Sequence, residues 1–135
     1  MKLFVTGGAG FIGGNFVLQQ ILQEGNASLN YDKLTYAGNL ATLSSVENHP
    51  NYQFIQADIC NRNLLRSKLH SYKPDAIVHF AAESHVDRSI DGPFEFIQTN
   101  IVGTAVLLDE SLKYYQSLNG AQKEMFRFLH VSTDE

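Results

Sequence analysis

The sequence is poor in the features that would tie it to an oxidising compartment, a membrane or a nucleic acid. Of its 135 residues only Cys60 is a cysteine, so no disulfide can close within the chain. A lone thiol cannot build a cysteine-rich metal site either. No apolar stretch approaches the roughly 20 residues that a membrane helix needs, and Met1-Lys2-Leu3-Phe4-Val5-Thr6 lacks the long apolar run of a signal peptide. The 10 Lys and Arg residues are scattered among 14 Asp and Glu, which leaves no basic stripe for a nucleic-acid backbone. No G-x-x-x-x-G-K-[ST] segment occurs, which sets aside a P-loop ATPase. His79 and His85 have no third ligand at a zinc-like spacing, so no metal is expected and His79 reads as a core histidine. These absences predict a soluble cytoplasmic protein, and a 44% hydrophobic content supplies one core.

What is present alternates between strand and helix. Short apolar runs at residues 3–6, 27–31, 52–56, 76–80 and 126–132 read as strands. The fourth, Ala76-Ile77-Val78-His79-Phe80, is nearly continuous in apolar character, as befits a strand buried on both faces of a parallel sheet. Phe11, Ile12, Phe16, Val17, Ile21 and Leu22 recur at helical spacing up to Gly25. Residues 61–72 form a second helix with Asn61 as its cap, and residues 94–115 a long third one. Residues 41–47 read as a short helix and 117–124 as an exposed connection. The expected fold class is α/β: a Rossmann-type parallel sheet in the order 3-2-1-4-5, with helices on both faces. One domain is expected to cover residues 1–135.

The chemistry-bearing residues sit where such a sheet binds ligands. A diphosphate needs donors and close backbone approach, and a strand-to-helix turn without side chains provides both. Gly7, Gly10 and Gly13 give the spacing G-x-x-G-x-x-G, and Gly8, Gly10 and Gly13 also satisfy G-x-G-x-x-G. Asp32 follows Gly13 by 19 residues, at the end of the second strand. A carboxylate there accepts hydrogen bonds from both ribose hydroxyls of adenosine and repels a 2′-phosphate, which favours NAD over NADP. Asp58-Ile59 closes the third strand beside the adenine edge, where a plain turn aspartate is an equal reading. Thr133, Asp134 and Glu135 follow the fifth strand, and two adjacent carboxylates can divide into a general acid and a general base.

Five segments together resemble the N-terminal part of the dTDP-glucose 4,6-dehydratase family, within the extended short-chain dehydrogenases/reductases. They are Thr6 to Gly13, Asp32-Lys33-Leu34-Thr35-Tyr36-Ala37-Gly38-Asn39, Ala81-Ala82-Glu83-Ser84-His85-Val86-Asp87-Arg88-Ser89-Ile90, Thr99 to Thr104, and Ser132 to Glu135. The resemblance implies bound NAD and conversion of dTDP-glucose to a 4-keto-6-deoxy sugar nucleotide with loss of water. It implies NAD contacts from Phe11, Ile12, Asp32, Lys33, Leu34, Thr35, Asp58, Ile59, Phe80, Ala81, Ala82, Glu83, Ser84 and Thr99, with Ser84 also near the sugar. By the same resemblance Thr133 hydrogen-bonds the sugar 4-hydroxyl, Asp134 protonates the departing C6 hydroxyl, and Glu135 takes the C5 proton. Family members continue with a Tyr-x-x-x-Lys motif and a substrate-binding domain, neither of which follows Glu135. The expectation is therefore a dehydratase part truncated after the fifth strand, inactive alone and a homodimer when full-length. Two alternatives stay open: a sibling sugar-nucleotide epimerase, dehydratase or decarboxylase, and a non-catalytic NAD-binding regulatory module.

Overall fold

A computed structural model describes residues 1–34, 40–80, 94 and 97–131, with Thr99 described by its backbone only. Five strands, β1 (Lys2–Thr6), β2 (Ala27–Asp32), β3 (Tyr52–Gln56), β4 (Ala76–His79) and β5 (Arg127–His130), form one sheet in the order β3-β2-β1-β4-β5. Every pairing is parallel. This is the expected α/β Rossmann-type sheet, and its order reverses beside β1, which has β2 on one side and β4 on the other.

Alternation along the strands sends side chains two apart to the same face, and each face has its own core. Phe4, Leu29, Tyr31 and Ile77 pack against Leu65, Leu69, Leu107 and Tyr114. The helices on that face are α2 (Arg62–Tyr72) and α3 (Thr104–Ser117). Leu3 and Val5 pack on the other face against Val17 and Ile21 of α1 (Phe11–Leu22), with Leu43 and Val46 beside them. The α2 N-terminus is as expected: Asn61 caps it by accepting from the Leu64 N–H at 3.3 Å.

The structure corrects several boundaries. The short helix expected at 41–47 is a 3₁₀ helix over Leu40–Val46, and the supposed connection at 117–124 runs into a short helix, α4 (Gly120–Met125). The fifth strand is confined to Arg127–His130. Within the long third helix, Gln98–Gly103 is wound as a π-helix, and α-helix follows from Thr104. Gly103 packs closely there, and a Cβ would come within 2.7 Å of the Ile59 side chain, which would have to shift. No helix among the described residues is long and apolar enough to cross a membrane.

Candidate nucleotide site

The strand order reverses between β1 and β4, and the crevice outside the carboxyl ends of strands at such a point is where open α/β sheets bind ligands. The turn leaving β1 is held by backbone bonds from the Gly7 N–H to the Tyr31 carbonyl (3.2 Å) and from the Gly10 N–H to the Gly7 carbonyl (3.2 Å). Gly7 has φ 75°, a conformation that favours glycine. A Cβ at Gly13 would lie 2.3 Å from the Gly7 carbonyl oxygen, so the third glycine lets α1 sit directly on the turn. Gly8 is packed as closely, against the buried Asn30 side chain.

α1 starts at Gly10 with no side chain capping its first N–H groups and no acidic residue in its first turn. A helix start of that kind is an anion site in search of acceptors. Phe11 and Ile12 stand exposed on that turn, at 84% and 63%. Apolar groups left in water beside the anion site suit contact with a ligand rather than the core.

Asp32, at the end of β2, is buried and bonded on both oxygens. Oδ2 accepts from the Ala9 N–H of the glycine turn at 2.8 Å, and Oδ1 accepts from the Leu34 N–H at 2.7 Å. Leu34 reaches this bond in the left-handed region, φ 58°. The carboxylate therefore ties the turn to β2, and each oxygen keeps a second lone pair for a ligand hydroxyl. Beyond it, Lys33 Nζ lies 3.4 Å from Asp58 Oδ2. Asp58 Oδ1 accepts from the Cys60 N–H at 2.9 Å. Partial burial of Asp58 opposes its charge, but the Cys60 N–H and Lys33 outweigh it and hold the carboxyl below its ordinary pKa.

Thus Gly7, Gly10, Gly13, Phe11, Ile12, Asp32, Lys33, Leu34 and Asp58 gather around one edge of the sheet. Ile59 differs: its side chain is committed to the core on the α2 and α3 face. Phe80 is half-buried with its ring 5.3 Å from that of Phe16. Thr35, Ala81, Ala82, Glu83, Ser84, Thr133, Asp134 and Glu135 lie outside the described residues, as does the side chain of Thr99. The sequence reading missed the Ala9 N–H, whose bond to Asp32 leaves no mark in residue type. It also gave no partners to His79, which is 1% exposed and bonded on both ring nitrogens.

Comparison with known proteins places this geometry. The family model described as GDP-mannose 4,6 dehydratase matches residues 4–135. The dTDP-glucose 4,6-dehydratase of Escherichia coli is 53% identical over 135 residues, which is 100% of this chain and 37% of that protein. The crystal structure of the Bacillus anthracis dTDP-glucose 4,6-dehydratase in complex with NAD superposes with a TM-score of 0.81 at 38% identity, covering 99% of this chain and 38% of that one. That of the Streptomyces venezuelae dTDP-glucose 4,6-dehydratase, with NAD bound, gives 0.79 at 46% identity over 84% of this chain and 36% of that one. The chain spans little more than a third of the length of these relatives.

Proposed function

The chain belongs to the GDP-mannose 4,6 dehydratase family, and on that premise we propose that residues 1–135 are the NAD-binding domain of a dTDP-glucose 4,6-dehydratase. The observation that carries this reading is the Asp32 carboxylate bonded to the glycine turn at Ala9, beside the uncapped start of α1. Together they supply a place for ribose hydroxyls and a place for a diphosphate, spaced as an adenine dinucleotide requires. The Escherichia coli relative is a dTDP-glucose 4,6-dehydratase, and the two solved dTDP-glucose 4,6-dehydratases hold NAD.

NAD, when bound, supplies the acceptor and donor of hydride for the sugar. The residues of this chain bind and move protons. Gly7, Gly10 and Gly13 keep the turn bare so that α1 can face the diphosphate, while Asp32 receives the ribose hydroxyls. Phe11, Ile12, Lys33, Leu34, Asp58, Phe80, Thr99 and the segment Ala81, Ala82, Glu83 and Ser84 complete the cofactor contacts, together with Thr35 and the main chain of Ile59, whose side chain lies in the core. Ser84 also approaches the sugar. Thr133 fixes the 4-hydroxyl, Asp134 gives its proton to the C6 hydroxyl as water leaves, and Glu135 removes the C5 proton. The product is the 4-keto-6-deoxy sugar nucleotide. A cytoplasmic location fits the single thiol.

A second copy of the chain is proposed as partner. Ile101, Leu108 and Leu112 are 64%, 48% and 52% exposed along the helical segment after β4, with Ile97 continuing the same row. An apolar row of this length marks an interaction surface. Sedimentation of the full-length protein should show a dimer, and Leu112→Lys should shift it to monomer.

Titration of NAD and NADP into the protein and into Asp32→Ala tests the cofactor reading. NAD should bind more tightly, and the variant should lose affinity for it. Equal or tighter NADP binding by the unsubstituted protein would overturn the assignment.

A further inference from the structure

His79 is a buried titratable residue with no part in the proposed chemistry, yet its ring is engaged on both sides. It is the last residue of β4, where the chain leaves the sheet toward the proposed site. Nδ1 lies 2.6 Å from Thr6 Oγ1 and Nε2 lies 2.9 Å from Thr104 Oγ1. Thr6 ends β1 and directly precedes Gly7, while Thr104 begins α3 directly after the π-helical turn. The two hydroxyls thus belong to the two segments that flank the crevice, one leading into the glycine turn and the other into the helix on the opposite side.

A neutral buried imidazole has one donor and one acceptor nitrogen to satisfy, and what marks His79 is where its two partners lie. Here a rigid ring spans two hydroxyls on separate elements, and its length fixes how far apart they stand. The backbone reinforces the arrangement: Thr6 pairs with His79 across β1 and β4, and the Phe80 N–H donates to the Thr6 carbonyl at 2.9 Å. Any shift of Thr6 would pass to Gly7 and on to Ala9, whose N–H holds Asp32. Burial, reinforced by the His130 ring 4.8 Å away on β5, lowers the imidazole pKa to about 4. The ring is then neutral near pH 7, with one nitrogen donating and the other accepting, which Thr hydroxyls can match from either side.

We propose that His79 is a positioning residue for the dinucleotide turn, setting the separation of Thr6 and Thr104 and through Thr6 the place of the glycine backbone. The inference rests on the NAD reading above. It concerns how well the turn is held, and assigns His79 no contact with the ligand.

The experiment compares NAD affinity across variants of the intact protein, each assayed well below its melting temperature. An Asn amide reproduces the position of Nδ1 and a Gln amide that of Nε2, so the two separate the Thr6 bond from the Thr104 bond. His79→Gln and His79→Leu, which lose the Thr6 bond, should bind NAD about fivefold more weakly or worse, the equivalent of one neutral hydrogen bond, and His79→Asn, which keeps that bond but loses the Thr104 anchor, should fall between them and the unsubstituted protein. Equal NAD affinity across folded variants, with only melting temperatures moved, would reduce His79 to a packing residue and overturn the proposal. Should the histidine variants fail to fold, Thr6→Val keeps the ring and removes the hydroxyl. A fivefold loss there supports the proposal and unchanged affinity refutes it. Absence of NAD binding by the unsubstituted protein would overturn the cofactor reading itself, and this one with it.

Discussion

Acid should destabilise this fold well above the range in which carboxylates titrate, through His79. Its ordinary pKa of 6.5 falls to about 4 in the folded chain, chiefly because burial disfavours the charged ring and secondarily because of His130. The unfolded chain therefore takes up a proton at this site between those two pH values and the folded chain does not. A depressed histidine contributes stability that is fully present above pH 6.5 and is lost as pH falls toward 4. At 1.36 kcal/mol per pH unit the whole gap is worth about 3 kcal/mol, of which about 2 kcal/mol is already gone at pH 5. Against a typical total of 5–15 kcal/mol for a domain, that is a large share. Urea unfolding at pH 8, 7, 6 and 5 at constant ionic strength measures it, beside His79→Gln, which has no proton to exclude. The unsubstituted protein should lose stability steeply below pH 6.5 and the variant should not. A flat profile in the first, or the same slope in both, would refute the reasoning.

Gly13→Ala should destabilise the protein by about 2 kcal/mol or more and weaken NAD binding, because its Cβ would meet the Gly7 carbonyl at 2.3 Å. Gly25→Ala is the control: it has open space and only the strain of φ +69°, so thermal melts should show about 1 kcal/mol and NAD titration no change. Glu110→Ala should cost about 1–2 kcal/mol in urea unfolding, since a fully buried carboxylate loses its bond to Arg66 Nε at 2.8 Å. The half-exposed arginine can recover water, which keeps the loss below that of a wholly buried pair. In the full-length protein Asp134→Asn should still oxidise the sugar at C4 while water loss slows by about 10²- to 10⁴-fold, and Glu135→Gln should also slow C5 proton exchange into solvent. Equal slowing of oxidation and dehydration by Asp134→Asn would contradict the assigned role.

The strands were legible because each is a short apolar run, and the glycine turn because its spacing is a backbone requirement written in residue type. Strand order followed from the alternation of elements and the handedness of crossovers. Other features depend on contacts that no residue advertises. The π-helical stretch at Gln98–Gly103 ends at Gly103, which packs against Ile59, a residue far away in sequence. The short helix α4 begins at Gly120 after Asn119, a residue type that favours helix starts, but that side chain makes no cap bond and the six-residue polar segment has no apolar periodicity. Asp32 was recognised from its place after the glycines, but its bonds to Ala9 and Leu34 are tertiary facts. His79 was correctly read as buried. Its two threonine partners come from positions 73 residues before it and 25 after it, which spacing alone does not connect.

The ion pairs between α2 and α3 bear on rotation as well as on strength. α3 turns Leu107, Glu110, Ser111 and Tyr114 inward and leaves Leu108 and Leu112 in water, so its charged carboxylate is inside while two leucines are outside. A roll that buried those leucines would turn Leu107 and Tyr114 out, so apolar burial alone gives only part of the preference for this setting. Glu110 adds to it, because its partners Arg66 and Arg62 stand on α2 and a roll would carry the buried carboxylate away from them. Arg62 also engages Asp109, which Lys113 approaches at 3.4 Å, so the same setting is gripped at a neighbouring position. Electrostatics thus joins apolar packing as the keyway that stops a greasy shaft from spinning, and the two keep the outward leucines presented in a constant direction.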